Sequence, residues 1–245
     1  MHFLRSTLLA ALLALAAGAA QAAFEACRDF FPNRTPPVIA DSDRLIARDL
    51  CYDAFAILHS GLRKTPIFVV ERLSPEQIDD AGDETRTNRF FADARLRAAE
   101  RATLADYKGS GYDRGHMAPA GDMPTAQAMA QSFSLANMVP QAPEHNRGLW
   151  AKVVEKGTRQ YVKRSGHTVY VFTGPVFPAT PKTIGPGRVW VPAALFKLIY
   201  DPQAGRAWAH WSDNRDDAQP TRPLSYEELQ RRTGIDFLPG ITPGY

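Results

Sequence analysis

Only one stretch of this chain is long and apolar enough to be taken for a membrane-crossing helix, and it stands at the start. MHFLRSTLLAALLALAAGAAQA carries one basic residue at Arg5, an apolar run from Leu8 to Ala17, and small residues at Ala20 and Ala22 around Gln21. A spanning helix needs about 20 predominantly apolar residues. This run instead shades into alanine and glycine and then meets Glu25, Arg28 and Asp29. The pattern is that of a secretory signal over residues 1–22, which leaves 23–245 as one domain that must bury its core in water. With 44% hydrophobic and 22% charged residues the chain can do so, which excludes disorder and simple repeats. A formal charge of +3 is too small for a polybasic chain, so any surface for nucleic acid has to be local. The expected location of the mature protein is the periplasm or the medium, with no membrane anchor.

Export sets the redox context. Cys27 and Cys51 are the only cysteines, and in an oxidising compartment a disulfide between them is the expected state, stabilising by roughly 3–4 kcal/mol less any strain. The other reading is two unrelated buried thiols. Two cysteines without a ligand spacing do not make a zinc site.

Along the mature chain, residues 53–59 and 66–72 carry β-branched and aromatic residues around Gly61 and Pro66 and read as paired strands. Ser74-Pro75-Glu76 offers a helix start, and the charged, alanine-rich stretch to Arg101 reads as exposed. Thr168–Thr173 and Val189–Tyr200, the latter interrupted at Pro192, read as strands of a central sheet. Asn146 to Arg164 has helical spacing through Leu149, Trp150, Val153, Val154, Gly157 and Tyr161. Ser225 with Glu228 makes a capping box, and Gly234 a stop. Strands and helices mix without βαβ alternation, which predicts an α+β fold.

The chemistry concentrates in DYKGSGYDRGHMAPA (106–120) and FSLANMVPQAPEHNRGLWAKVVE (133–155). Asp113, Arg114, Gly115 and His116 form a tetrad, followed by Asn137 with Pro140 and Gln141, and then by Asn146. This ordered set resembles the DNA/RNA non-specific endonucleases, the sugar-non-specific members of the ββα-metal nucleases. The similarity continues through Tyr170–Pro175 and Thr233-Gly234. The resemblance implies a central, mainly antiparallel sheet flanked by helices, DNA and RNA as substrates, 5′-phosphate products, and Mg²⁺, or Mn²⁺ in its place, as cofactor.

The residues make chemical sense on their own terms. Hydrolysis of a phosphodiester needs a base for water, a cation at phosphorus and a stabilised leaving oxygen. His116 suits the base, since a free imidazole titrates at about 6.5; a lone histidine would otherwise read as a satisfied core residue. Arg114 can pair with phosphate, and Gly115 allows close backbone approach to a ligand. By the resemblance Asn146 holds the metal through its amide oxygen, which suits a hydrated Mg²⁺; its other reading is a helix N-cap. Asp113 supports the turn or pairs with a neighbour, Asn137 orients the histidine or merely turns the chain, and His145 reads as a surface or N-terminal helix residue.

The chain departs from the family pattern at one point. There a glutamate lies eight positions after the ligand asparagine and an arginine four further on, whereas here position 154 is Val154 and the candidates Glu155 and Arg159 sit one place late. In a regular helix, nine steps of about 100° put Glu155 on the face opposite Asn146. Either the helix carries a one-residue bulge, the preferred reading, or Glu155 is a solvated partner of Arg159. Lys152, Lys156, Arg159 and Lys163 would form a basic stripe, with Arg159 as a phosphate clamp and Arg86 and Arg89 as further substrate contacts. The expectation is an exported Mg²⁺-dependent endonuclease. The alternatives are a nuclease-like module that binds extracellular nucleic acid without cutting it, and a phosphodiesterase for other esters.

Overall fold

The computed structural model describes residues 24–40 and 42–245, so the expected signal at 1–22 lies outside the described residues. Eight strands organise it: β1 (Ala47–Cys51), β2 (Phe55–Ser60), β3 (Thr65–Leu73), β4 (Asp113–His116), β5 (Met138–Gln141), β6 (Val169–Val176), β7 (Ala194–Asp201) and β8 (Arg206–Asp213). Six of them make one sheet in the order β8-β7-β6-β3-β2-β1, antiparallel at every step. This is the expected mixed α+β architecture. The hairpin expected from 53–59 and 66–72 is β2–β3, with a register shift at Leu58/His59. Val189–Trp190 belongs to a separate two-stranded pair with Thr183–Ile184, and the sheet strand resumes only after Pro192. Strand β8 was not foreseen from the sequence. Its inward positions include Ala207 and Ala209, so its alternation is small against aromatic rather than apolar against polar.

The period of two sorts β3, β6 and β7 onto two faces. One face carries Phe68, Val70, Phe172, Phe196 and Leu198. It packs against Phe24, Phe31 and Phe237 and against the helix Tyr226–Thr233, in which Ser225 accepts from the Glu228 N–H and Gly234 ends the helix at φ 69°. The Cys27–Cys51 disulfide is formed, with Cα atoms 5.8 Å apart, and ties the segment bearing Phe24 and Phe31 to β1. The opposite face carries Val69, Val171, Leu195 and Ile199 and is covered by the helix Ala126–Ser132 and by a long helix running from Pro143 to Ser165. Trp150, Val154 and Val162 are the residues by which the long helix sits on the sheet.

Among these apolar side chains that second face also bears Glu71 and Lys197, 1% exposed each. Register explains the placement, because Lys197 lies opposite Thr173, Thr173 opposite Val69, and Glu71 two residues further along β3. Residues 74–101 do not form the fully exposed stretch that their composition suggests. After the helix Pro75–Ala81, capped by Ser74, the chain folds back so that Asp93, Leu96 and Glu100 are buried and Phe90 packs beside His116.

Candidate active site

Strands β4 and β5 pair antiparallel with Asp113 opposite Gln141 and His116 opposite Met138, and the long helix begins two residues later at Pro143. The arrangement is strand, strand, helix, with the tetrad on the first strand. Gly115 is required for a reason other than ligand approach. A Cβ there would stand 1.9 Å from Gln141 Oε1, so only glycine lets the Gln141 side chain cross to the helix. Its Nε2 lies 2.9 Å from His145 Nδ1, and His145 Nε2 lies 2.8 Å from Ser212 Oγ on β8. His145 is therefore buried and pins the first turn of the helix, so of its two readings the N-terminal helix residue holds and the surface residue does not. Burial holds its imidazole down, at about 4. The spacing Gln141 to His145 was the available signal.

Asn146 follows directly. Its φ of −57° and ψ of −54° are helical, and Ala142, four residues earlier, stands in the cap position. Asn146 is thus not an N-cap and its side chain is free for other work. Its Nδ2 donates to Asp113 Oδ2 at 2.9 Å, and the Asp113 carboxylate also receives Arg147 Nε and Nη2 at 2.9 and 2.7 Å. Asp113 is fully engaged as an anchor. The Asn146 NH₂ is held this way, and among the described residues no hydrogen bond claims its amide oxygen.

His116 is 8% exposed, packed edge-on against Phe133 with centroids 5.0 Å apart, with Phe90 at 5.9 Å. Its Nε2 is sealed from solvent and makes no hydrogen bond, which leaves Nδ1 as the nitrogen that can meet water. Burial, with the Arg86 and Arg114 charges adding to it, lowers the imidazole to about 3 and keeps it neutral. Arg114 is exposed and lies 4.0 Å over the Phe90 ring, and Arg86 lies 5.0 Å over Phe133. Arg89 is exposed, and among the described residues no hydrogen bond or ion pair ties its side chain to this cluster. Asn137 does not hydrogen-bond the histidine. Its amide accepts from the Ala118 N–H and donates to the Ala118 and Ser132 carbonyls, each at 2.9 Å, so it fixes the turn that follows His116.

The one-residue offset is taken up by the winding. Asn146–Glu155 is a π-helix, and α-winding returns at Lys156–Ser165. Two turns of i→i+5 winding use about nine residues where α-winding uses about seven, so Glu155 comes back under Asn146. Glu155 then faces inward, among Lys197, Asp122, Arg159 and Arg86, and burial pushes its carboxyl up to about 7. Arg159 is 24% exposed and donates to Asp122 Oδ1 at 2.7 Å. It has left the basic stripe, whose remaining members Lys152, Lys156 and Lys163 stay exposed. Behind them Glu71 has neither carboxylate oxygen hydrogen-bonded, and burial, reinforced by Asp122, raises its pKa well above the carboxylate range. Lys197 donates to Thr173 Oγ1 at 2.7 Å.

Deleting Val153, exposed on the π segment, should remove the extra residue and restore an eight-residue spacing under α-winding. The expected result is a folded protein with activity within about threefold of the parent. A mid-helix deletion in a regular helix would instead swing everything beyond it by about 100°. Circular dichroism and a plasmid assay decide between these outcomes, and loss of activity in a folded deletion variant speaks against the winding argument.

No group of three or more His, Cys, Asp or Glu stands ready for a metal among the described residues. That donor set does not suit zinc. One anchored amide oxygen beside a charged cluster does suit a hard, largely hydrated cation.

A sheet backed by strand-strand-helix, with a neutral histidine on the strand and an oriented amide on the helix, defines a phosphodiester hydrolase of the non-specific endonuclease class. The chain belongs to the DNA/RNA non-specific endonuclease family, whose profile matches residues 40–243. It is 35% identical to the human protein "Endonuclease G, mitochondrial" over 207 residues, 77% of this chain and 69% of that one. It is 36% identical to "Nuclease C1" of Cunninghamella echinulata var. echinulata over 192 residues, 73% of this chain and 75% of that one. A solved EndoG/EndoGI complex superposes with a TM-score of 0.70 at 25% identity, covering 77% of this chain and 84% of that one.

Proposed function

We propose that this endonuclease is exported, depends on Mg²⁺, and cuts DNA and RNA with little regard to sequence, leaving 5′-phosphate ends. The observation that carries the mechanism is the joint on Asp113. One carboxylate at the start of the His116 strand holds the Asn146 amide at 2.9 Å, which supports reading the strand and the helix as two sides of one site. His116, neutral and open at Nδ1, takes the proton from the attacking water. Asn146 would hold the cation through its amide oxygen, with Mn²⁺ able to replace Mg²⁺, and that cation would supply charge neutralisation at phosphorus and at the leaving oxygen. Arg159, kept in place by Asp122, and Arg86 with Arg114 near His116 bind the phosphate backbone. Such contacts carry no sequence information, and a water nucleophile has no need of the ribose 2′-hydroxyl. Arg89 stays a weaker outer contact.

Nicking of supercoiled plasmid and breakdown of RNA, each with Mg²⁺ and with EDTA, test the activity; binding of both without cleavage in Mg²⁺ would make the protein a capture module instead. Export rests on the segment 1–22 and agrees with a disulfide-linked fold. A mature N-terminus beginning near residue 23, recovered outside the cytoplasm, is the expected observation.

The pH dependence should follow Glu155 rather than His116. Burial places the Glu155 midpoint near 7, so this carboxyl gains its proton as pH falls through that value, while His116 remains neutral down to about 3. If the Glu155 carboxylate is required, kcat/KM falls about tenfold per pH unit on the acid side. In Glu155→Gln the residual activity should be flat across that range. A persisting acid limb in the variant would assign the titration to another group.

A further inference from the structure

The C-terminal half of the long helix has a second flank of interest. Its residues Gly157, Tyr161 and Arg164 face Arg206, Trp208 and His210 of β8 across a cleft of about 480 Å³, with Tyr245 at the rim. The rings are fixed: Tyr161 meets Trp208 edge-on at 4.7 Å, and its hydroxyl donates to Asp201 Oδ2 at 2.6 Å. The Arg206 guanidinium lies 5.5 Å over Trp208. Arg164 and Arg206 are both exposed, and neither has an ion-pair partner among the described residues. Gly157 sits inside a helix, where glycine costs about 1 kcal/mol against alanine, and a Cβ there would enter open space. The cleft is open where a better helix former would begin to fill it.

Position links this cleft to the catalytic site. Arg206, Trp208, His210 and Ser212 alternate onto the same sheet face as Lys197 and Ile199. Ser212 holds His145 beside Asn146, and Arg206 and Arg164 line the cleft, so β8 runs along the helix from the metal-ligand end to the cleft. Asn146 to Tyr161 is fifteen residues, roughly 20 Å of helix.

Aromatic faces bounded by two unpaired guanidiniums match one chemistry, a flat heteroaromatic base carrying a phosphate. Stacking accepts any base, in keeping with a non-specific enzyme, but it needs the base unpaired. We infer that the Tyr161–Trp208 cleft with Arg164 and Arg206 is a second substrate subsite, which takes an unpaired nucleotide of the bound strand some positions away from the bond that is cut. The inference rests on the nuclease reading of the Asn146–His116 site.

The test compares a single-stranded 20-mer with a dinucleotide, using the full mature chain in Mg²⁺. Trp208→Ala, the pair Arg164→Ala with Arg206→Ala, and the occluding Gly157→Leu should each raise KM for the 20-mer about tenfold, the loss of one stacked or clamped base. Dinucleotide kinetics and kcat on both substrates should not move. In EDTA, the Kd of a fluorescent 20-mer should weaken by the same factor, a readout that needs no cleavage. Gly157→Leu keeps the test open should Trp208→Ala fail to fold. Equal effects on the 20-mer and the dinucleotide, or none on either, overturn the subsite. A wild-type protein that binds the 20-mer through this cleft yet cuts nothing would overturn the nuclease reading and leave the subsite standing.

Discussion

Replacing His116 by alanine is expected to lower turnover of plasmid DNA and of RNA by roughly 10²–10⁴-fold, the range lost when a positioned general base is removed, while nucleic-acid binding survives. The reasoning starts from burial. The ring is fixed against Phe133 and Phe90, so Nδ1 has a defined direction that a mobile surface histidine would lack. Its environment keeps it unprotonated near neutral pH, so the ring stands in the form a general base requires. The residues proposed to hold phosphate, Arg86, Arg114 and Arg159, are anchored on Phe133, Phe90 and Asp122 respectively, and none depends on the imidazole for its place. Binding and turnover should therefore separate in this variant. The checks are initial rates on both substrates, a Kd measured in EDTA, and a melting temperature to show that the smaller side chain left the fold intact. A folded His116→Ala enzyme that cuts at the parental rate would remove the imidazole from the mechanism.

How far the sequence could be read differs from residue to residue, for physical reasons. Local signals were legible. Ser74 and Ser225 cap helices because a side-chain oxygen in that position meets a free backbone N–H whatever lies elsewhere in the fold. The β2–β3 hairpin and β6 announce themselves by composition, and the tetrad with Asn146 by order and spacing. Features that depend on a distant partner were not legible. His145 looks like any helical histidine until Ser212, 67 residues later, reaches it. Asn137 has the composition of a residue that could steer an imidazole, but the nearby carbonyls of Ala118 and Ser132 claim its amide first. Glu71 and Lys197 are ordinary polar residues in one dimension and become two buried titratable side chains on one sheet face only through strand register. The offset of Glu155 is visible as an anomaly, and only the helix winding gives it a direction.

The second large effect is expected at Asn146. Asn146→Ala removes the carboxamide, its donor to Asp113 included, and nothing from the core, yet turnover should fall about 10³-fold, comparable to the loss from EDTA, if the amide oxygen is the proposed hold on the cation. Calorimetric titration of Mg²⁺ should show the affinity weakened at least tenfold in the variant, a readout independent of turnover. Asn146→Asp sharpens the argument. A carboxylate is ordinarily the better ligand for Mg²⁺, so charge alone predicts rescue. Here the wild-type NH₂ donates to Asp113, which already carries Arg147. An aspartate would lose that donor and set two carboxylates against each other, turning the ligand away from its direction. Asn146→Asp is thus expected to remain at least about 10²-fold impaired, with part of the loss recovered when Asp113→Asn is added to restore a donor opposite it. Full activity of Asn146→Asp in the Asp113 background would show that orientation by Asp113 contributes nothing, and parental Mg²⁺ affinity in Asn146→Ala would place the cation elsewhere.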